Sequence, residues 1–335
     1  TVGGWSSFFP VVLWEKTSPA LIILFAIGMV AWGQGRWRSR EATDSQAELP
    51  PPFYEGIPYF VLIVVYMAIA MIQRLDIGHR HILPIYPAIY ILGGGPIALL
   101  WPRAKTWMRV VTILLLAWTV GESLVLYPDF LAYFNPLVGG PERGYLHLVD
   151  SSLDWGMELP GVKKWLEENN PKEIKPVYLA YFGTDDPDYY GIVDWRLPSE
   201  PEWYSRVRYA YTPGIYIISA TLYESDTPPL FGPWDTEYEI HYQAAYQNVL
   251  KIQAANKDPA KQAELQKEHP PAFWSSEYEW FDRLRFARLC AWLRHNRPVP
   301  DAMVGYSMLI WQLSYKDIQA AMLGPPPEID DTPTM

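Results

Sequence analysis

The chain has 335 residues, half of them hydrophobic, and a formal net charge of −10 from 27 Lys and Arg against 37 Asp and Glu. Residues 1–127 hold nine basic and seven acidic side chains, which leaves 18 of the 27 and 30 of the 37 for 128–335. The acidic C-terminal part excludes nucleic acid as a partner, since phosphate contacts need clustered Lys and Arg, and the single cysteine, Cys290, excludes a disulfide scaffold or a cysteine zinc site.

The first residues, Thr1-Val2-Gly3-Gly4, carry no initiator Met, basic n-region or cleavage signal, and read as the start of a fragment. Four apolar stretches follow, at about 18–33, 57–72, 82–101 and 107–127. Each approaches the roughly 20 helical residues that cross a hydrocarbon core of about 30 Å. Trp32, Tyr54 and Tyr59 flank the two shorter ones with rings suited to headgroup depth. Arg36, Arg38 and Arg40 follow the first stretch, and Arg103, Lys105 and Arg109 follow the third, so both loops are expected on the cytoplasmic side. Alternation then puts 1–17, 73–81 and everything after Tyr127 outside, in the periplasm if the membrane is a bacterial inner one. Residues 41–52 read as a polar, Pro-ended linker. Glu122 is costly inside the fourth stretch, and pairs within the bundle or sits near the outer interface, the second being preferred.

The short loop Arg74-Leu75-Asp76-Ile77-Gly78-His79-Arg80-His81 concentrates two Arg and two His at the outer surface. An anionic headgroup is the natural partner, with Arg80 leading and His79, His81 and Arg74 in support, because guanidinium forks phosphate oxygens and imidazole adds a donor. The plainer alternative is anchoring by snorkelling. A zinc site on His79 and His81 lacks a third ligand. Pro84 and Pro87 predict a broken first turn in the third span, and Gly93-Gly94-Gly95 within it suits close helix packing.

Beyond Tyr127 the pattern shifts to short runs. A helix is predicted over 155–169 with Asp154 as N-cap, strands over 176–182, 214–220 and 306–313, and helices over 237–255, 277–295 and 316–323. The polar stretch 257–269 reads as an exposed helical insertion, and the Pro-rich end from Pro325 as a frayed tail. The fold class is therefore an α-helical transmembrane bundle with four spans over 1–127, a small exported α/β domain with a parallel or mixed sheet over 128–324, and a tail over 325–335. Asp150 and Asp154 beside Trp155 suit sugar hydroxyls or a metal, against the simpler reading that Asp154 caps the helix. Asp185, Asp186 and Asp188 beside Tyr189 and Tyr190 lack the spacing of a Ca²⁺ loop and read as a solvated turn. Cys290 falls on an apolar helix face, and the 16 Trp fill cores or stack on sugars.

Five separated blocks, FFPVVLWEKTSPALIIL, LDIGHRHILPIYPAIYILGG, LAYFNPLVGGPERGYLHLVDSSLDWG, LAYFGTDDPDYYGI and VGYSMLIWQL, together resemble the C-terminal half of bacterial membrane glycosyltransferases related to the protein O-mannosyltransferases (glycosyltransferase family 39, C-type superfamily). The resemblance implies transfer of a sugar from a polyprenyl-phosphate donor to a protein, lipid or glycan acceptor on the outer face. It further implies inverting attack assisted by a carboxylate expected upstream of Thr1, so no catalytic residue is named. No cofactor is called for, with room left for a divalent metal. The rival class is a membrane-anchored glycan- or protein-binding module, or part of a transporter.

Overall fold

The computed structural model describes residues 5–41, 53–73, 78–198, 210–224, 226–227 and 230–328. The chain divides into two compact units, Thr1–Leu153 and Asp154–Met335. The sheet-bearing unit thus begins at Asp154, and 128–153 belongs with the helices before it.

The first unit is helical: α1 (Phe8–Glu15), α2 (Pro19–Glu41), α3 (Phe53–Gln73), α4 (Tyr86–Leu100) and α5 (Thr106–Leu126). Three helical stretches are long and apolar enough to cross a membrane, Gly56–Gln73, His79–Leu99 and Thr106–Leu126, and a fourth crossing is reached if Phe8–Glu15 and Pro19–Trp32, bent by 103°, count as one. Their outward residues are large and apolar, among them Val64, Ile72, Leu124 and Val125. A helix apolar all round and uncovered by protein is stable in lipid and not in water. The prolines act as expected: residues His79–Ile85 form a 3₁₀ turn containing Pro84, and α4 starts at Tyr86 with Pro87 in its first turn. Proline has no N–H to give and its fixed φ suits a helix start.

Glu122 lies within α5 and is held there, accepting from Trp118 Nε1 at 2.8 Å and from the Tyr133 hydroxyl at 3.2 Å. It is therefore paired, by donors of its own unit. Residues 128–153 contribute short 3₁₀ turns at Phe130–Ala132, Pro136–Val138, Pro141–Leu146 and Asp150–Ser152.

The second unit is built on a five-stranded mixed sheet. In chain order it runs α6 (Leu159–Asn169), β1 (Val177–Ala180), β2 (Trp195–Arg196), β3 (Gly214–Ser219), α7 (Ala220–Tyr223), β4 (Asp226–Thr227), β5 (Leu230–Phe231), α8 (Thr236–Ala255), α9 (Pro259–Glu268), α10 (Pro271–Asn296), β6 (Ala302–Val304), β7 (Met308–Leu313) and α11 (Tyr315–Leu323). Strand order is β2-β1-β3-β7-β6, and β4 pairs with β5 apart from it. β1 runs parallel to β2 and β3, whereas β7 is antiparallel to β3 and β6. The three apolar runs of the sequence become β1, β3 and β7, buried on both faces as near-continuous hydrophobic strands should be. On one face Val177, Leu179, Ile215, Ile217, Met308 and Ile310 meet Leu159, Val162 and Leu166 of α6. On the other Tyr178 and Tyr216 stack at 4.4 Å and Tyr223 stacks on Trp311 at 5.1 Å.

A second core joins α8 and α10 around Trp234, Tyr242, Phe281 and Leu284. Arg288, fully buried, donates to Glu239 Oε2 at 3.0 Å, to the Gly324 carbonyl at 2.8 Å and to the Ala321 carbonyl, tying α10 to α8 and to the end of α11. The stretch read as an exposed insertion is α9, with no buried residue. The expected frayed tail is tied down as far as Glu328, which takes Arg294 Nε at 2.6 Å and the Trp234 amide at 2.8 Å.

Candidate functional site

In the helical unit a set of polar side chains gathers around the break between α1 and α2. The break, Lys16-Thr17-Ser18, interrupts two apolar runs and leaves carbonyls without helical partners. Residues far along the chain supply them. The Asn135 amide donates to the Glu15 carbonyl at 2.8 Å and its side chain to the Trp14 carbonyl at 2.6 Å. In return Lys16 Nζ donates to the carbonyls of Leu131 at 3.0 Å and Ser152 at 2.5 Å and sits 3.7 Å above the Phe134 ring. The Glu15 carboxylate, itself buried, meets His147 Nδ1 at 3.1 Å.

The 3₁₀ turn His79–Ile85 packs into the same end. Gly78, at φ +114°, starts it, and a side chain there would run into Ser151 Oγ at 2.5 Å, so the close approach needs glycine. His79 Nε2 lies 2.7 Å from the Tyr86 hydroxyl, which lies 3.0 Å from Thr17 Oγ1, a chain of three polar side chains from α4 back to the break. Arg80 is exposed. His81 turns away from His79, as two residues 120° apart from a common face must in a three-residue turn, and its Nε2 is buried with no hydrogen-bond partner among the described residues. Arg74 lies outside the described residues.

The expected donor-binding group is thus brought to one end for His79, Arg80 and His81, but the two imidazoles do not face each other. Among the described residues no group of three His, Cys, Asp or Glu is arranged to hold a metal, and a His79–His81 zinc site has no geometry behind it. The sequence reading passed over Lys16, Thr17, Tyr86 and Glu15. Their signal was the polar break EKTSP between two apolar runs, where a charge is costly unless it is used.

Asp150 and the pair Asp154 and Trp155 fall in different units. Asp150 belongs to the helical unit, in the 3₁₀ turn Asp150–Ser152, with φ at +52°. Asp154 does not cap a helix: α6 begins four residues beyond Trp155, at Leu159, after Glu158. The Asp154 carboxylate is fully buried, accepting from Ser219 Oγ at 2.6 Å and the Gly156 amide at 2.7 Å, and so fastens the start of the second unit to the end of β3. Trp155 is half exposed. The nearby Tyr181 hydroxyl donates to the Gly156 carbonyl, and burial pushes its pKa up.

The aspartates after β1 hold one another in place through a cation. Arg196 lies 2.8 Å from Asp188, 3.5 Å from Asp186 and 2.8 Å from Asp194, and Tyr190 donates to Asp185 at 2.8 Å. Burial pushes Asp194 up to about 7, against the pull of Arg196 and with the help of Asp188 and Asp186. Cys290 is fully buried, and burial pushes its thiol up to about 12, so it packs and does not react. No known protein family, no characterised protein and no solved structure matches this chain.

Proposed function

We propose that this chain is part of an integral-membrane glycosyltransferase that takes a sugar from a polyprenyl-phosphate donor and passes it to an acceptor on the outer face of a bacterial inner membrane. The observation that carries the reading is the exposed Arg80 beside His79 in the turn His79–Ile85, at the end of the apolar stretch His79–Leu99. A lipid donor presents its phosphate at that depth. The Arg80 guanidinium at that depth would stabilise negative charge as it develops on the leaving phosphate. The family resemblance of the five sequence blocks points the same way.

In this reading α2, α3, α4 and α5 are four spans. Arg36, Arg38 and Arg40 on the last turns of α2, and Arg103 and Lys105 between α4 and α5, mark the cytoplasmic side. The break at Lys16, the His79 turn and 128–153 then lie outside, and the sheet-bearing unit is exported. That unit positions an acceptor without breaking bonds, since its Asp154 is spent on Ser219 and Gly156 and its Asp186 and Asp188 on Arg196.

The test is binding of undecaprenyl phosphate to the protein in nanodiscs, with undecaprenol as the uncharged control. Arg80→Ala should weaken phosphate binding by roughly 2–5 kcal/mol, the range for removing one partner of a desolvated charge pair, and leave the alcohol unaffected. Equal binding of phosphate and alcohol by the unaltered protein, or unchanged phosphate binding by a well-folded Arg80→Ala protein, sinks the reading.

A further inference from the structure

We infer that α1 lies in the plane of the membrane interface with its Trp14 ridge among phospholipid headgroups, and is not the upper half of the first span. Its axis is bent 103° from that of Pro19–Trp32. If α2 crosses the bilayer, a helix at that angle runs along the surface. With eight residues α1 is about 12 Å long at 1.5 Å per residue, too short to matter as a span.

The break itself is at a wet depth. The carbonyls of Trp14 and Glu15 are taken by Asn135, and Lys16 is held by Leu131 and Ser152, all from the irregular segment 128–153. Irregular backbone of this kind is not tolerated against hydrocarbon. That segment, the His79 turn and α3 cover one face of α1, where Phe8, Phe9, Val12 and Glu15 are buried. The opposite ridge is Ser7, Pro10 and Trp14, spaced three and four residues apart, with Trp14 47% exposed and Trp5 at the other end 47% exposed.

The chemistry of that ridge selects its occupant. Over residues 5–16 the only ionisable side chains are Glu15 and Lys16, and both turn inward, onto His147 and onto backbone carbonyls. An uncharged, Trp-bearing ridge offers nothing to an ionic partner and suits the zone where indole rings collect, half apolar and half hydrated. Beyond the break, α2 also exposes apolar side chains, at Ile23 and Val30. Lacking the Lys and Arg of typical surface helices, α1 should bind zwitterionic lipid without help from anionic lipid.

The test is nitroxide labelling of the full chain in phosphatidylcholine nanodiscs, in which the buried Cys290 gives no background. A label at Trp14→Cys should be more accessible to oxygen than to a water-soluble nickel chelate, at a depth between a label at Val64→Cys, within α3, and one at Tyr189→Cys, which is water-exposed. Adding phosphatidylglycerol should leave that depth unchanged. A depth equal to Val64→Cys makes α1 part of a span, and nickel accessibility equal to Tyr189→Cys puts it in water. Exclusion of both reagents covers it with protein. Each of these overturns the inference. Leu13→Cys, on the edge of the same ridge, repeats the measurement if Trp14→Cys does not fold.

Discussion

Gly28 of α2 and Gly93 of α4 meet backbone to backbone: a Cβ on Gly28 would collide with the Gly93 carbonyl, and one on Gly93 would come 3.0 Å from the Phe25 Cα. Small residues let helices approach this closely where lipid provides no hydrophobic drive between them. Of the Gly93-Gly94-Gly95 run only Gly93 is used this way, since a Cβ at Gly94 or Gly95 meets nothing within 4 Å among the described residues.

Gly28→Leu should therefore push α2 from α4 and lower stability by about 1–3 kcal/mol, as over-packing does. Gly94→Ala should be neutral or stabilise by up to about 1 kcal/mol, from helix propensity alone. Thermal unfolding in detergent compares them. Equal effects of the two substitutions would mean that the close contact is not what the glycines serve.

Lys16→Met keeps the stem and removes the donor from the carbonyls of Leu131 and Ser152. Each buried acceptor left unserved costs about 1–3 kcal/mol. The expected result is a lower unfolding temperature and faster amide exchange in 128–153. Unchanged exchange there would show that the ammonium holds nothing in place.

Asp194 predicts an unusual pH dependence. It ionises near 3.8 in an unfolded chain, whereas burial holds its proton up to about 7 in the folded one. The folded state therefore binds the extra proton between these values. The stability tied to Asp194 is fully present below about 3.8 and is lost as pH rises through about 7. Asp194→Asn does not titrate, and Arg196 keeps Asp186 and Asp188. Its stability relative to the unaltered protein should rise across this window, by at most about 1.4 kcal/mol per pH unit. Chemical denaturation at pH 4.5, 6 and 8 measures the difference, and a constant offset at all three refutes the shifted proton.

Membrane orientation is tested by single cysteines and an impermeant maleimide, with Cys290 buried and silent. A cysteine at Asp185, which is exposed, should label from outside the cell, and one at Ser45 only after permeabilisation. Labelling of Ser45 alone from outside would invert every assignment of sides.

The apolar helices and the strands β1, β3 and β7 were legible because each is a long enough run to carry its own period or its own hydrophobicity. Where the reading failed, the deciding partner was distant. Asp154 has the sequence of an N-cap, but Ser219, 65 residues on, takes its carboxylate. Lys16 was passed over, and only backbone carbonyls 115 and 136 residues away give it its role. No local pattern announces a bond to a main-chain oxygen. Of the loop singled out for phosphate, clustering of charge was legible, but the partner of His79 was a tyrosine already assigned to the membrane helix.

The sheet ends in very short strands, two residues at β2 and three at β6. Unpaired N–H and C=O groups along a sheet margin are what lets one molecule zipper onto another, and here few are on offer. At the β2 margin Arg196 and the aspartates around it add charge that a docking strand would have to strip of water. A strand arriving at either margin therefore meets few main-chain partners, and at the β2 margin it must also displace the hydration of these charges.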